Sequence, residues 1–306
     1  DDGDASNGIE VDGLSSVTSV TFSEDGSTLY VTNNDGESSS ITVFSVGDDG
    51  TLSYVGQLAD VGEEIVEISI SDDGDTLYVL SDTSVYVYSI GDSDGSLTLL
   101  DTETGVFDSS VALEVGSDGT VYVLGSSYLV IYTAADDGSL TYAGTLSRSS
   151  STSSTLTYTD ADGNATTVGT LSNQNGFKSS RDFVVSDDGH IYVVTDASFL
   201  TTFKYDSDSN VVSFVDESDV GSTASRPYAI EISADGTTLY VGGVSNDTIG
   251  IYSIGDDGVP TLSGSVNSGG RTSEIVVSSD GLSIYAGEQI FGAFGKEGRT
   301  GLRLVS

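Results

Sequence analysis

One motif returns six times along the chain: an Asp-Gly pair followed by a short apolar stretch containing tyrosine. The copies are SEDGSTLYVTN from Ser23, SDDGDTLYVLS from Ser71, SDGTVYVLG from Ser117, SDDGHIYVVTD from Ser186, SADGTTLYVGG from Ser233 and SSDGLSIYAGE from Ser278. Repetition at this scale implies units too small to bury a core alone, which gain one by stacking on their neighbours. The equivalent tyrosines, Tyr30, Tyr78, Tyr122, Tyr192, Tyr240 and Tyr285, are spaced by 48, 44, 70, 48 and 45 residues. A unit of about 46 residues with one insertion accounts for all five spacings.

Inside each unit, apolar residues alternate with period 2 between turn residues, the pattern of strands. The first unit reads as strand A from Val17 to Phe22, a turn at Asp25-Gly26, strand B from Leu29 to Thr32, strand C from Ile41 to Val46, a turn at Asp49-Gly50, and strand D from Leu52 to Val55. Glycine suits such turns because it accepts positive φ without steric cost. With 38 glycines, 2 prolines and no helical periodicity, the chain reads as all-β. Four-stranded antiparallel units repeated at this length predict a β-propeller. Repeat arithmetic gives six blades, or seven if the insertion hides a degraded one. The segment around Gly8 to Val11 has room for one further outer strand.

The run Tyr30-Val31-Thr32-Asn33 spells the YVTN signature, and the units resemble the YVTN and lactonase-type propeller repeats of bacterial and archaeal surface and periplasmic proteins. The resemblance spans the chain. It implies fold more than activity, because propellers host many unrelated functions. The insertion, at about 148–180, reads as a hairpin turning at Asp162-Gly163 within a decorated connection between blades. The whole chain reads as one propeller domain, part of a longer secreted protein.

The charge narrows function further. Nine Lys and Arg face 48 Asp and Glu, a formal net charge of −39. Nucleic-acid binding through a general basic surface is excluded, because phosphate neutralisation needs clustered cations. No apolar run approaches the roughly 18 residues that span a bilayer, so membrane insertion is not expected. There is no cysteine, and so no disulfide, thiolate metal site or cysteine nucleophile. GxSxG, HExxH, P-loop and Rossmann fingerprints are absent as well.

In an up-and-down blade the A-B and C-D turns share one face. That face gathers acids, among them Glu24, Asp25, Asp73, Asp92, Asp94, Asp188 and Asp280. The opposite face receives Arg148, Lys178, Arg181, Arg226 and Arg271. Arg226 and Arg271 both lie nine residues before the turn aspartate of their units, where Glu64 stands in the second unit; Arg181 lies two residues further along its strand. By the resemblance, a leading arginine of this kind stands at the mouth of the central channel. Arg181, Arg226 and Arg271, with Glu64 and Glu67, are therefore the candidate ligand-binding set, since grouped guanidiniums bind carboxylates or phosphates bidentately. The competing reading ties the arginines into blade-to-blade pairs with Glu63, Glu67, Asp182, Glu231 or Glu274.

Asp160, Asp162 and Asn164, and likewise Asp206 and Asp208, place oxygen ligands at alternate positions as a calcium loop opens, though neither run supplies the later bidentate Glu. They are the candidate Ca²⁺ ligands; no cofactor is required. His190, the one histidine, follows an Asp-Gly turn and reads as a solvated turn residue rather than a catalytic base. Two sequons, at Asn164 and Asn246, are compatible with export. Lacking a channel histidine and any catalytic motif, the chain is expected to be a non-catalytic extracellular or cell-surface module with a protein or glycan partner. The alternative is a lactonase-type hydrolase at the channel mouth.

Overall fold

A computed structural model describes Leu14, residues 16–23, 25–34, 39–59, 61–91, 95–105, 109–150, 152–172, 176–278 and 283–287, and the backbone of 303–305. Glu24, Asp92, Asp94 and Asp280, and the segment around Gly8 to Val11, lie outside the described residues. The chain divides into two compact units, residues 1–123 with 132–141, and residues 124–131 with 142–306.

Every described element is a strand. In the first blade β1 (Val17–Phe22), β2 (Thr28–Asn34), β3 (Ser39–Val46) and β4 (Leu52–Leu58) form an antiparallel meander; in the second, β5 (Ile65–Ile70), β6 (Thr76–Ser81), β7 (Ser84–Ile90) and β8 (Leu97–Thr104) do the same. The third sheet has six strands: β9 (Ser110–Val115), β10 (Thr120–Gly125), β11 (Tyr128–Ala134), β12 (Leu140–Arg148), β13 (Thr155–Asp160) and β14 (Ala165–Thr170). The fourth blade is β15 (Ser180–Val185), β16 (His190–Thr195), β17 (Phe199–Asp206) and β18 (Val211–Asp219), and the fifth is β19 (Pro227–Ile232), β20 (Thr238–Gly243), β21 (Thr248–Ile254) and β22 (Pro260–Asn267). A last sheet holds only three strands, β23 (Glu274–Val277), β24 (Ile284–Gly287) and β25 (Arg303–Val305). These small antiparallel sheets make the fold an all-β propeller. Against the expectation of six blades, five sheets have four or more strands among the described residues, because the last sheet stops at three.

The turns explain the recurring Ser-x-Asp-Gly. Gly26 N–H closes on the Ser23 carbonyl at 2.8 Å with Gly26 at φ 68°, while Asp25 takes hydrogen bonds from the Ser23 hydroxyl and the Ser27 N–H at 2.7 and 2.9 Å. Only the glycine needs the left-handed region; the aspartate caps the turn. Asp73, Asp188 and Asp235 accept the equivalent serine hydroxyl in their own turns. These bonds to the ionised form lower all four carboxyls, with Asp188 opposed by burial.

Blades pack through the tyrosine strands. In the first unit Tyr30, Ile41 and Val43 of one blade meet Ile65, Ile68, Leu77, Val79 and Tyr88 of the next. In the second unit Tyr192, Val194 and Leu200 meet Ile230, Leu239, Val241 and Tyr252. The buried phenols find the same kind of acceptor one blade on: Tyr30 donates to the Gly95 carbonyl at 3.4 Å, and Tyr192 to that of Gly258 at 3.1 Å. A buried tyrosine needs such a partner for its hydroxyl, and at Tyr30 and Tyr192 a turn glycine of the neighbouring blade supplies it.

A tether at the start of the first strands also recurs. Ile65, Ser180 and Thr272 occupy one repeat position, eight residues before the turn aspartate. Their N–H groups reach the preceding blade, at Asn34 Oδ1 (3.0 Å), the Ser126 carbonyl (3.1 Å) and the Gly243 carbonyl (3.2 Å). The fifth blade has Pro227 there, which carries no N–H.

Candidate functional site

The missing donor at Pro227 shapes the surroundings of Arg226. Its backbone N–H bonds Ser198 Oγ at 3.1 Å and its Nε bonds Asp196 Oδ1 at 2.9 Å, so Arg226 ties the fifth blade to the fourth where Pro227 has no N–H to do so. Arg226 adopts φ 51° to do this, its partner Ser198 lies at 66°, and Ser179, whose carbonyl accepts the Asp196 N–H, lies at 54°. Left-handed backbone at non-glycine residues costs about 1 kcal/mol or more each and persists only where the surroundings enforce it.

Arg181 reaches the same carboxylate differently. Register shifts between Ser180 and Asp182 and between Pro227 and Ala229 make Arg181 and Tyr228 the bulged residues of β15 and β19. A bulge re-aims the side chain of the extra residue. Here it stacks the Arg181 guanidinium 4.5 Å above the Tyr228 ring and sets its Nη2 3.5 Å from Asp196 Oδ2. The Arg181 Nε is buried without a hydrogen-bond partner, as is the Ser180 hydroxyl. Burial works against the charge of Asp196, but the Arg226 hydrogen bond and the two guanidiniums prevail and lower its carboxyl. Two cations on one anion leave the cluster positive.

Further along the first strands the charge reverses. Burial, then the negative charge of Glu274, push the Glu231 carboxyl on β19 up to about 7. Glu274 at the start of β23 is open to solvent on one side, yet the protein around it raises its carboxyl too. A carboxyl that titrates near neutrality, as that of Glu231 does, is suited to take up and release a proton.

Of the expected site residues, Arg181 and Arg226 do converge, on Asp196 rather than on Glu67, Asp182, Glu231 or Glu274. Glu67 and Asp182 are strand staples: their carboxylates accept the N–H of Leu113 at 2.6 Å and of Ile230 at 2.9 Å, each on the next blade's first strand. Glu64 is exposed just before β5, and Arg271 is exposed just before β23. Asp160 accepts the N–H groups of Asp162 and Asn164 at 3.0 and 2.8 Å, and Asp206 those of Asp208 and Ser209 at 3.1 and 3.3 Å, so both carboxylates cap their own turns. Among the described residues no group of three or more His, Cys, Asp or Glu is arranged to hold a metal ion.

His190 corrects the expectation of a solvated turn residue. It is 4% exposed, its Nδ1 lies 2.8 Å from Asp188 Oδ1, and its ring stacks on Tyr192. Asp196 and Tyr228 were missed by sequence reasoning. Asp196 aligns with Asn34 at the end of strand B, and that shared position was the available signal.

Comparison with known proteins shows what the chain as a whole is similar to. A family model described as lactonase, 7-bladed beta-propeller, matches residues 1–81. No curated protein matches the chain. Among solved structures, a Lactobacillus plantarum protein superposes with TM-score 0.69 at 18% identity, covering 90% of this chain and 78% of its own. A Bacteroides fragilis protein provisionally described as a 6-phosphogluconolactonase gives 0.65 at 16%, covering 89% and 77%. The periplasmic gluconolactonase of Pseudomonas aeruginosa gives 0.50 at 20%, covering 82% and 85%. At these identities the superpositions establish fold. Together with the family match they overturn the expectation of a non-catalytic binding module and favour the hydrolase alternative: the chain is similar to lactonase-type propellers.

Proposed function

We propose that this chain is a lactonase-type hydrolase that opens the ring of a sugar-acid lactone at the mouth of the propeller channel. The observation that carries the reading is the pair of guanidiniums, Arg181 and Arg226, gathered on Asp196 beside Tyr228 at the bulged starts of two neighbouring first strands. In a chain of net charge −39 such a group is where an anionic sugar acid, or the oxyanion formed on its carbonyl, is held. Glu231, with its carboxyl near 7, serves as the base. It takes a proton as water adds to the lactone carbonyl carbon; the ring C–O bond then breaks and the departing alkoxide oxygen receives the proton.

Tyr30 to Asn33 support the finer placement among YVTN repeats. We read the protein as exported, in line with its acidity and the periplasmic relative. Among the described residues no helix is long and apolar enough to cross a membrane.

The test is ring opening of the δ-lactones of gluconic and 6-phosphogluconic acids, followed by acid release and corrected for spontaneous hydrolysis. Wild-type protein should accelerate at least one of them. Glu231→Gln should return the rate to the spontaneous value while circular dichroism stays native. A folded wild-type chain that accelerates neither would refute the proposal.

A further inference from the structure

The fold leaves one feature of the insertion unexplained by hydrolysis. Strands β13 and β14 extend the third sheet outward, with β14 as its last strand. Ala165–Thr170 carries no charged residue, as is also true of the outer strands β4 and β22, whereas β8 and β18 carry Asp101 and Glu103, and Asp216, Glu217 and Asp219. A free, uncharged strand edge invites pairing with another chain unless something covers it. Near its C-terminal end β14 is covered, since a Cβ at Gly169 would meet Phe214 of β18 at 2.5 Å. Its N-terminal end is open, with residues 161–167 all exposed.

At that open end stands Asn164-Ala165-Thr166, an acceptor sequence for N-linked glycan. Asn164 sits at the hairpin tip, and its Nδ2 donates to the exposed carboxylate of Asp160 at 3.0 and 3.2 Å. An amide nitrogen that has gained a sugar keeps one hydrogen, enough to retain one of these bonds. The second sequon is differently placed. Asn246 is partly buried, its Oδ1 accepts the Ser225 N–H at 3.1 Å, and it lies where a Cβ on Gly243 would meet Oδ1 at 2.4 Å. The Thr248 hydroxyl of that sequon is bonded to the Asn246 carbonyl at 2.7 Å. Asn246 is thus half-buried with its amide held through Oδ1, which limits access to its Nδ2, whereas Asn164 is exposed and a glycan on it would extend into solvent.

We infer that Asn164 is an N-glycosylation site and that Asn246 is not, the glycan at the hairpin tip shielding the open edge of β14. The donor is a lipid pyrophosphate-linked oligosaccharide. A bond forms between Asn164 Nδ2 and the sugar C1, the C1–O bond to phosphate breaks, the lipid pyrophosphate leaves with the electron pair, and the amide releases a proton. The inference rests on export and not on hydrolase activity.

The test secretes the full chain through a host pathway with N-glycosylation and maps glycopeptides by mass spectrometry. A glycan mass is expected on the peptide holding Asn164, with the peptide holding Asn246 unmodified. Asn164→Gln should abolish the glycan. Thr166→Ala should do so too, while leaving Asn164 and its bonds to Asp160 in place. Secreted, folded protein bare at Asn164, or modified equally at Asn246, would overturn the inference. Lactone hydrolysis, measured separately on unglycosylated protein, is independent of either result.

Discussion

Replacing Gly258 with alanine should be among the most damaging small changes in this chain. Gly258 lies in the turn before β22 at φ 76°, and a Cβ there would meet His190 Nε2 at 2.1 Å and Cδ2 at 2.2 Å. His190 has little room to yield: it is 4% exposed, held by Asp188 and stacked on Tyr192, whose hydroxyl also bonds the Gly258 carbonyl. Two costs add. Left-handed backbone costs alanine about 1 kcal/mol relative to glycine, and overpacking a filled interior costs about 1–3 kcal/mol. Gly236→Ala isolates the first cost, because Gly236 has φ 69° with nothing within 4 Å of its Cβ. Urea unfolding followed by circular dichroism should place Gly258→Ala about 1–3 kcal/mol below Gly236→Ala. In a His190→Ala background that difference should shrink toward zero, as a double-mutant cycle requires for touching residues. Equal stability of the two alanine variants in the wild-type background would refute the steric reasoning.

Three further outcomes follow from the same contacts. Glu231 is protonated in the folded chain up to about pH 7 but ionises near its ordinary 4.5 when unfolded, so its contribution to stability is present at pH 4 and lost as pH rises through 7. Glu231→Gln should therefore match wild type at pH 4 and exceed it by up to about 3 kcal/mol at pH 8 in denaturant titrations. Asn34→Ala removes the two bonds that clasp the Ile65 N–H and carbonyl, at 3.0 and 2.9 Å, and should cost about 1–3 kcal/mol of unfolding free energy. With a net charge of −39, the melting temperature should rise with NaCl as screening reduces self-repulsion; a flat response from low to molar salt would count against this.

The strands of the first blade and the insertion's hairpin were legible because their signals are local: alternation, turn glycines and a fixed repeat. The site was legible only in part. Arg181 and Arg226 stood out as scarce cations, but the side chain that gathers them, Asp196, sits on another strand and shows itself only when aligned with Asn34. Pro227 offered a clue that went unused, a missing N–H where Ile65, Ser180 and Thr272 donate to the preceding blade. Tyr228 faces Arg181 because both residues are bulged, and a bulge has no dependable pattern in the sequence. His190 is buried by a glycine 68 positions away, beyond the reach of a turn-by-turn reading. The functional expectation failed for a related reason. It weighed the absent channel histidine and catalytic motifs, and the lactonase family match and lactonase-type neighbours overturn it; the carboxyl that burial and Glu274 raise, that of Glu231, carries no local mark in the sequence.

The pH dependence of kcat/KM for δ-lactone hydrolysis, compared between wild type and Glu231→Gln, tests the proposed chemistry most directly. If Glu231 is the base, the wild-type value rises with pH through about 7 as its carboxyl ionises, and the variant loses both the rise and the rate above spontaneous hydrolysis. A wild-type profile flat across pH 5–8, or a Glu231→Gln variant as fast as wild type, would contradict it.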